Sequence, residues 1–189
     1  AVLSQGLIFN SGRSCARPTL DGMNAIAFPS GFMTMPVEAT EQAGPVIIWR
    51  KELRTDSGGS GEYRGGLGQH MDVGARQGHE FDIQAMFDRV DHTARGRAGG
   101  LQGAPTKIGQ DDGTAMRGKG KQFVPHGNKV MMSFPGGAGY GSPSSRDKKA
   151  VIRDLALGYI SADIAARDYG LADAEIQDIM QRAALGEVF

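Results

Sequence analysis

The feature that most constrains this chain is a glycine-rich segment at residues 54–68, which reads Arg-Thr-Asp-Ser-Gly-Gly-Ser-Gly-Glu-Tyr-Arg-Gly-Gly-Leu-Gly. Six of its residues are glycine, and it also carries charges at Arg54, Asp56, Glu62 and Arg64. Glycine is needed where the backbone takes a positive φ or where another backbone or a ligand comes very close. A flexible linker would not need fixed charges, so the segment is predicted to be a shaped turn between two strands.

Composition excludes several classes of protein. The 189 residues include 21 lysines and arginines against 21 aspartates and glutamates, so bulk charge gives no reason to expect nucleic acid or an anionic membrane as partner. The one cysteine, Cys15, excludes an internal disulfide and a zinc cluster of thiolates and predicts a reduced, cytoplasmic setting. The longest apolar runs, such as 45–49, are far shorter than the roughly 20 residues that span a bilayer.

Glycine is concentrated in the first part of the chain, where 26 of the 29 glycines precede position 142. We therefore predict a glycine-rich β domain at residues 1–141 and a helical tail at residues 142–189. The fold class is predicted to be α+β, mainly antiparallel β with long glycine-rich loops, followed by the helical C-terminal tail. Short apolar segments bounded by turn residues predict strands at 7–10, 25–28, 46–53, 69–75, 81–87 and 129–134.

The tail carries apolar side chains at helical spacing, together with residues that commonly begin and end helices. Three helices are predicted, with caps at Ser144 or Ser145, at Ser161 and at Asp173, and with ends near Tyr159 and at Gly170.

Three stretches compete for a functional role: 17–38, 54–68 and 134–143. In the first, Asp21 and Glu38 could bind a metal or a substrate amide; alternatively, Asp21 shapes an Asp-Gly turn and Glu38 pairs with a nearby arginine. The glycine amides of the second could bind an anion, but it lacks the lysine and Ser/Thr of a P-loop, so a structural turn or subunit contact is favoured. In the third, tight backbone packing is favoured over a loop that lines a shared active site.

Histidine and cysteine offer weaker candidates. The four histidines show no metal-ligand spacing, although His92 follows a strand end and could bind a ligand or transfer a proton. Cys15 lies between Arg13 and Arg17, which could favour a thiolate. A lone buried thiol is the favoured interpretation.

An ordered series of motifs is more specific than any one of these features. It covers nearly the whole chain and resembles the carboxy-terminal part of the hydantoinase B/oxoprolinase family. The series comprises Asp21-Gly22, Phe28–Gly31, Met35–Glu38, Glu52–Arg54, Asp56–Gly59, Tyr63–Gly68, Asp88-Arg89, Pro135–Gly141 and Ala166–Gly170.

The resemblance implies a part in ATP-dependent chemistry on cyclic amides or ketones: opening of hydantoins or oxoproline, or carboxylation of acetone or acetophenone. In such systems a hydantoinase A-like partner, an ATPase, phosphorylates the substrate oxygen, and the B-like protein acts on the activated intermediate. Phosphate turns a poor leaving oxygen into a good one, while a metal or hydrogen-bond donors stabilise the developing charge.

The B-like proteins of this family are much longer than this chain, and their His-His-Asp metal-binding segment has no counterpart here. We therefore expect a C-terminal portion or small split subunit that is inactive alone. ATP and Mg are expected on the A-like partner, and a divalent metal on the missing N-terminal part of the B-like subunit or on another subunit. No cofactor is expected on this chain. Besides these polypeptides, the expected partner is a small cyclic amide or ketone, with no nucleic acid and no membrane.

Six polar residues are the candidates for substrate binding or for the shell that supports a shared cleft; no catalytic base is assigned. Two alternatives stay open: an assembly module that docks larger subunits without taking part in catalysis, and a free-standing β domain that binds an anion. The six candidates are Glu38, Arg54, Asp56, Arg64, Asp88 and Arg89.

Overall fold

The structure is a computed structural model that describes residues 13–26 and 36–189. Helices and strands follow one another along the chain, with the strands before the main group of helices. The elements are α1 (Val37–Ala43), β1 (Val46–Leu53), β2 (Gln69–Ala75), β3 (Phe81–Met86), β4 (Lys107–Gln110), β5 (Lys119–Val124), β6 (Lys129–Ser133), a 3₁₀ helix (Pro143–Ser145), α2 (Lys148–Ala156), α3 (Ala162–Arg167) and α4 (Asp173–Ala184).

Four strands form an antiparallel sheet in the order β1-β2-β6-β4. The predicted bounds of β1 and β2 are confirmed, and β6 ends one residue earlier than predicted. β1 pairs with β2 in a register that shifts between Ile48 and Arg50, so Trp49 forms an irregularity in the edge strand. β1 and β2 flank the glycine-rich segment 54–68, which therefore connects two adjacent strands as predicted.

A second, two-stranded sheet is formed by β3 and β5. In β3, Phe81, Ile83 and Ala85 are more buried than the residues between them, which confirms the predicted alternation. This apolar face packs on the four-stranded sheet around a core that draws side chains from both sheets. The buried members of the core are Met71, Val73, Val124, Val130 and Met132.

Three elements of the β region differ from the sequence prediction. β4 and β5 were not predicted, because β4 has only four residues and β5 alternates lysines and a glycine with few apolar side chains. α1 was not predicted either. It forms because the Pro36 carbonyl accepts hydrogen bonds from the Thr40 amide and hydroxyl, both at 3.1 Å.

Two predicted strands involve residues outside the described ranges. The strand at 7–10 lies wholly outside them. Of the strand at 25–28, only residues 25 and 26 are described, and they are not in a strand; Ala25 has a φ of 47°. The structure therefore contradicts the described half of that prediction.

Three helices form the tail, as predicted, and they enclose a second apolar core. Its buried members come from all three helices and the turns between them: Val151, Leu155, Ile160, Ala165, Leu171, Ile176 and Ile179.

The predicted caps are right for one helix and wrong for two. Ser161 caps α3 and accepts a hydrogen bond from the Ile164 amide at 3.3 Å. Ser144 and Ser145 lie instead in the 3₁₀ helix, and Asp147 caps α2 by accepting from the Lys149 amide at 3.0 Å. The shift has a local cause, because the proline at 143 starts the 3₁₀ turn.

Two helix ends also differ from the prediction. α2 ends at Ala156 rather than near Tyr159, since Gly158 takes a φ of 68° that breaks the helix. Asp173 is the first residue of α4, and its cap position is held by Ala172, which makes no side-chain cap. Gly170, with a φ of 71°, separates α3 from α4 as predicted. The α+β fold class is confirmed, while the domain division at residues 141 and 142 stays a prediction.

Candidate functional site

Three glycine-rich loops meet beside the four-stranded sheet, and we call residues 54–68, 94–104 and 134–141 the glycine-loop cluster. The loops are joined by backbone hydrogen bonds as a sheet would be, although they contain no strands. Gly59 N donates to Gly137 O at 2.8 Å, and Gly139 N donates to Leu101 O at 2.9 Å. Leu101 N in turn donates to Ser60 O at 2.7 Å, so each loop binds the other two.

Glycine is required in this cluster because the backbones touch. A Cβ atom at Gly136 would lie 1.5 Å from Ser57 O, and one at Gly65 would lie 2.1 Å from Gly137 O. No side chain fits such a space without moving the backbone. The shaped turn predicted for 54–68 and the tight packing favoured for 134–143 are both confirmed.

A cleft of about 560 Å³ opens between the glycine-loop cluster and α3. Its lining includes the glycines Gly58 and Gly96 and the polar residues Ser60, Arg95 and Asp168. This cleft is the larger of the two clefts in the described residues that we consider as candidate sites.

The Asp168 carboxylate organises one wall of the cleft. It accepts a hydrogen bond from Ser60 Oγ at 2.6 Å and one from Arg167 Nε at 2.8 Å. Burial alone would raise the pKa of Asp168, but the hydrogen bonds from Arg167 and Ser60 outweigh it, so the pKa is lowered. Asp168 is therefore a carboxylate at neutral pH and holds Ser60 in place rather than transferring a proton.

Arg95 supplies a cation to the same cleft. Its side chain is exposed and, among the described residues, forms no ion pair or side-chain hydrogen bond. A guanidinium group offers five donors in a planar fork. The cleft can thus donate hydrogen bonds to a carbonyl or an anionic group.

A buried ion network fixes the helical tail to the glycine-loop cluster. Asp154 on α2 accepts from Arg64 Nε at 3.0 Å and from Arg146 Nη2 at 2.7 Å. Arg146 also binds both carboxylate oxygens of Asp21, each at 2.7 Å. The network therefore joins three distant parts of the chain: the 13–26 segment, the glycine-rich turn and α2.

The pKa shifts of this network follow from its pairing. Burial would raise the pKa of Asp21, but the hydrogen bonds and charge of Arg146 and the amide of Arg64 together lower it. Burial would likewise lower the pKa of Arg146, and its bonds to Asp21 together with the charge of Asp154 instead raise it. Both groups are charged near neutral pH, and the Asp21 carboxylate is fully engaged within the chain.

Arg54 and Asp56 also make internal contacts at the start of the glycine-rich turn. Arg54 Nη1 donates to Pro105 O at 2.7 Å and to Phe134 O at 3.2 Å, which ties the turn to the residue that follows the second loop and to the third loop. Asp56 Oδ1 accepts from the Ser161 amide at 2.7 Å at the start of α3. Asp56 has a φ of 61°, a left-handed conformation that aspartate tolerates better than most residues.

Asp88 and Arg89 line a second cleft of about 230 Å³. Asp88 is exposed and pairs with Lys119 Nζ at 2.8 Å; this hydrogen bond and charge lower its pKa. Arg89 has a φ of 59°, and its carbonyl accepts from the Thr106 amide at 2.9 Å. His92 lines the same cleft.

The six predicted site residues are therefore not gathered in one place. Arg54, Asp56 and Arg64 belong to the glycine-loop cluster, Asp88 and Arg89 to the second cleft, and Glu38 to the exposed first turn of α1. Among the described residues Glu38 makes no ion pair with an arginine. Whether any of the six contacts substrate remains a prediction.

Sequence reasoning missed Ser60, Arg146, Asp154 and Asp168 as contributors. One signal was available for Asp154: it lies beside Val151 and Leu155, on the apolar face of α2. A charged residue at such a position needs a buried partner. The partner itself could not be read from the sequence, because Arg64 is 90 residues away.

Cys15 is exposed, which contradicts the favoured interpretation of a buried thiol. Its Sγ accepts a hydrogen bond from the Ala138 amide at 3.5 Å, so it lies against the glycine-loop cluster. Within residues 13–26 and 36–189, no three His, Cys, Asp or Glu side chains come together as metal ligands. No helix in those ranges combines the length and apolar character needed to cross a membrane.

Comparison with known proteins identifies the family. The sequence profile of the hydantoinase B/oxoprolinase family matches residues 4–143. The caprolactamase subunit beta of Pseudomonas jessenii is 30% identical over 147 residues, which cover 74% of this chain and 25% of that protein. The acetophenone carboxylase delta subunit of Aromatoleum aromaticum is 30% identical over an alignment of 190 residues, which covers 82% of this chain and 28% of that protein.

The fold agrees with these matches. The crystal structure of the ATP-dependent caprolactamase from Pseudomonas jessenii aligns with a TM-score of 0.75 at 26% identity, and the match covers 92% of this chain and 32% of that chain. This chain thus spans about a quarter of the length of the curated relatives. On the profile match and the shared fold, the chain belongs to the hydantoinase B/oxoprolinase family.

Proposed function

We propose that this chain is a portion, or a small split subunit, of the B-like component in an ATP-dependent complex that opens a cyclic amide or carboxylates a ketone. The observation that carries the proposal is the match to the ATP-dependent caprolactamase over 92% of this chain. The relatives named as subunits of a caprolactamase and of an acetophenone carboxylase support both reaction types.

The chain's proposed role is to supply hydrogen-bond donors at the edge of a shared active site. Support comes from the cleft beside α3, which is lined by the exposed Arg95 and by glycines. A rigid donor array stabilises negative charge on a reacting oxygen without the cost of reorganising side chains. Asp168 and Ser60 hold the wall of this cleft in place.

ATP and Mg are proposed to bind a hydantoinase A-like ATPase partner, which would phosphorylate the substrate oxygen. The divalent metal is proposed to bind the amino-terminal part of the B-like polypeptide or another subunit. The described residues of this chain do not fit a metal, because no three suitable ligands converge. No step of the reaction is therefore assigned to a metal on this chain.

The proposal is tested by assembling the chain with the rest of the B-like polypeptide and with the A-like ATPase. ATP hydrolysis is then measured with hydantoin, 5-oxoproline, caprolactam, and acetone or acetophenone with bicarbonate. We expect substrate-dependent ATP hydrolysis that disappears when this chain is left out. ATP hydrolysis with the same rate and substrate dependence in its absence would overturn the proposal.

The cleft is tested by Arg95→Gln in the assembled complex, with Arg153→Gln, an exposed arginine on α2, as the matched control. Loss of a charged donor to a reacting oxygen is expected to lower kcat/KM at least roughly ten-fold. The control is expected to keep the full rate. Native mass spectrometry checks that both variants still assemble.

The second candidate function is an assembly module that docks the larger subunits without contacting substrate. It is favoured by one observation: the charges of Arg54, Asp56 and Arg64 are all engaged in contacts within this chain. Unchanged kinetics of Arg95→Gln in a complex that needs this chain to assemble would select this function.

A further inference from the structure

The cleft beside α3 is lined by charged residues of both signs in equal number. Its cations are Arg95 and Arg167, and its anions are Asp56 and Asp168. The formal charges therefore cancel, which favours an uncharged ligand over a free anion. A polar uncharged ligand is held by hydrogen bonds, so the donors and acceptors that still lack a partner determine which ligand fits.

Two of the four charged side chains are already paired with each other. Arg167 Nε donates to Asp168 Oδ1 at 2.8 Å, and Ser60 Oγ donates to Asp168 Oδ2 at 2.6 Å. Both oxygens of Asp168 are thus engaged within the chain. An acceptor for a ligand must come from another residue of the lining.

Asp56 keeps one carboxylate oxygen available. Its Oδ1 accepts from the Ser161 amide at 2.7 Å, which fixes the carboxylate at the start of α3. Its Oδ2 forms no hydrogen bond with any described residue, and Asp56 is an exposed member of the cleft lining. An ionised carboxylate accepts hydrogen bonds and donates none. Asp56 therefore offers the cleft a fixed acceptor that only a ligand with an N–H or O–H group can use.

Two other side chains of the lining supply free donors. Thr93 Oγ1 donates to Gln102 Oε1 at 3.2 Å, which leaves the Gln102 amide nitrogen without a partner among the described residues. The Arg95 guanidinium forms no ion pair or side-chain hydrogen bond within the same ranges. Gln102 and Arg95 line the same cleft as Asp56. The cleft thus combines free donors with a free acceptor.

The remaining side chains of the lining are apolar. Leu101 is exposed and precedes Gln102 in the chain, and Ile164 belongs to α3. Apolar side chains with a few polar groups among them are typical of sites for small molecules. A ring of methylene groups that carries one carbonyl and one N–H complements all three kinds of lining group.

We propose that Asp56 is the specificity-determining residue of this cleft: its Oδ2 accepts a hydrogen bond from the N–H of a cyclic amide, whose carbonyl accepts from Arg95 and Gln102. A ketone has the carbonyl but no N–H, so it leaves Asp56 Oδ2 unpaired. A site built to bond an N–H group rejects an analogue that lacks it. The inference rests on the function proposed above and narrows it to the opening of a cyclic amide.

The test compares lactams with the ketones in which CH2 replaces the N–H, a change that keeps the size of the ring. The pairs are caprolactam with cycloheptanone and 2-pyrrolidinone with cyclopentanone. Ligand-observed NMR titrations measure their Kd values in the assembled complex without ATP. At least one lactam is expected to bind roughly ten-fold more tightly than its ketone, because the ketone cannot bond the charged acceptor. Equal affinities in both pairs, or no binding of either lactam, would overturn the proposal.

Asp56→Asn changes the acceptor and little else. Asparagine keeps an oxygen for the Ser161 amide and tolerates the left-handed conformation at this position, where φ is 61°. It puts an NH2 group in place of Oδ2, so the lactam is expected to lose its preference while the Kd of the ketone stays unchanged. Asp91→Asn, at an exposed aspartate outside this cleft, is the matched control and is expected to keep the preference. Native mass spectrometry checks that both variants assemble.

A second variant separates the acceptor from the donors. Gln102→Met removes a donor that lactam and ketone both use, so it is expected to weaken both ligands by a similar factor, roughly two- to ten-fold. A loss for the lactam alone would assign the preference to Gln102 and overturn the proposal. A preference that Asp56→Asn leaves unchanged would also overturn it.

Failure of this inference can be told apart from failure of the proposed function, because the binding measurements need no ATP. Loss of turnover in Arg95→Gln together with equal binding of lactam and ketone would leave the function standing and overturn the inference. ATP hydrolysis that does not need this chain, together with a lactam preference that depends on Asp56, would overturn the function and leave the preference of the cleft.

Discussion

The buried carboxylate of Asp154 is the point at which the helical tail depends most on charge. Its Oδ2 accepts hydrogen bonds from Arg64 and Arg146, and all three side chains are buried. Asp154→Asn keeps the shape of the side chain and removes only the charge. Oδ1 of Asp154 has no hydrogen-bond partner among the described residues. The asparagine amide nitrogen can therefore occupy the Oδ1 position, so that the side-chain carbonyl oxygen still points at the two arginines.

The size of the effect follows from what each arginine retains. In Asp154→Asn, Arg146 keeps both of its bonds to the Asp21 carboxylate. Arg64 loses the only carboxylate that it binds. It keeps its bond to the Gly65 carbonyl and its contact with the Tyr159 ring, whose centroid lies 5.2 Å from the guanidinium carbon. Breaking a buried ion pair costs about 3–5 kcal/mol. Because Arg146 stays paired, we expect the lower end, about 3 kcal/mol, which corresponds to a fall in Tm of about 6–12 °C.

The assay is urea unfolding followed by circular dichroism, with Asp91→Asn as the control. Asp91 is exposed, and its substitution is expected to change the free energy of unfolding by no more than about 0.5 kcal/mol. Arg64→Met combined with Asp154→Asn is expected to cost less than the sum of the single variants, since the two residues form one pair. A loss below about 1 kcal/mol for Asp154→Asn would refute the reasoning, because it would mean that the charges are solvated.

Two further predictions concern stability. Gly136→Ala places a methyl group 1.5 Å from Ser57 O and is expected to lower the free energy of unfolding, measured with urea, by more than about 3 kcal/mol. Gly127→Ala lies in open space with a φ of 90° and is expected to lower it by about 1–2 kcal/mol. Equal losses for the two variants would contradict the close approach of the backbones at Gly136. The pKa of Asp21 is lowered in the folded chain, so its stabilising contribution is present above its ordinary pKa of 3.8 and is lost as the pH falls below that value. Urea midpoints between pH 2 and 6 should therefore decline less at the acid end for Asp21→Asn than for the parent chain; an identical acid decline would argue against the pairing with Arg146.

The sequence was informative where local chemistry decides the structure. Apolar runs bounded by turn residues were sufficient for the bounds of β1 and β2, and Ser161 caps its helix through its own side chain. β5 was missed because its two lysines and Gly120 carry little β signal, and its pairing with β3 comes from tertiary contact.

The site was harder to predict because its residues are far apart in the sequence. Arg64 was chosen for its position in the glycine-rich turn, but Asp154, its partner, lies in a helix 90 residues later. Asp88 and Arg89 were grouped with Arg54 and Asp56 because of a shared motif series, whereas in the fold they line a second cleft that neither Arg54 nor Asp56 lines.

The glycine-loop cluster also sets the order in which this chain can fold. Arg54 and the Phe134 carbonyl that it binds are separated by 80 residues, and the amides of Gly59, Glu62 and Tyr63 in the first loop donate to carbonyls of the third. Closing such long segments costs chain entropy before any contact repays it, which slows folding. During synthesis, the bonds between the first and third loops can therefore form only after the third loop has left the ribosome, which makes completion of the cluster a late event.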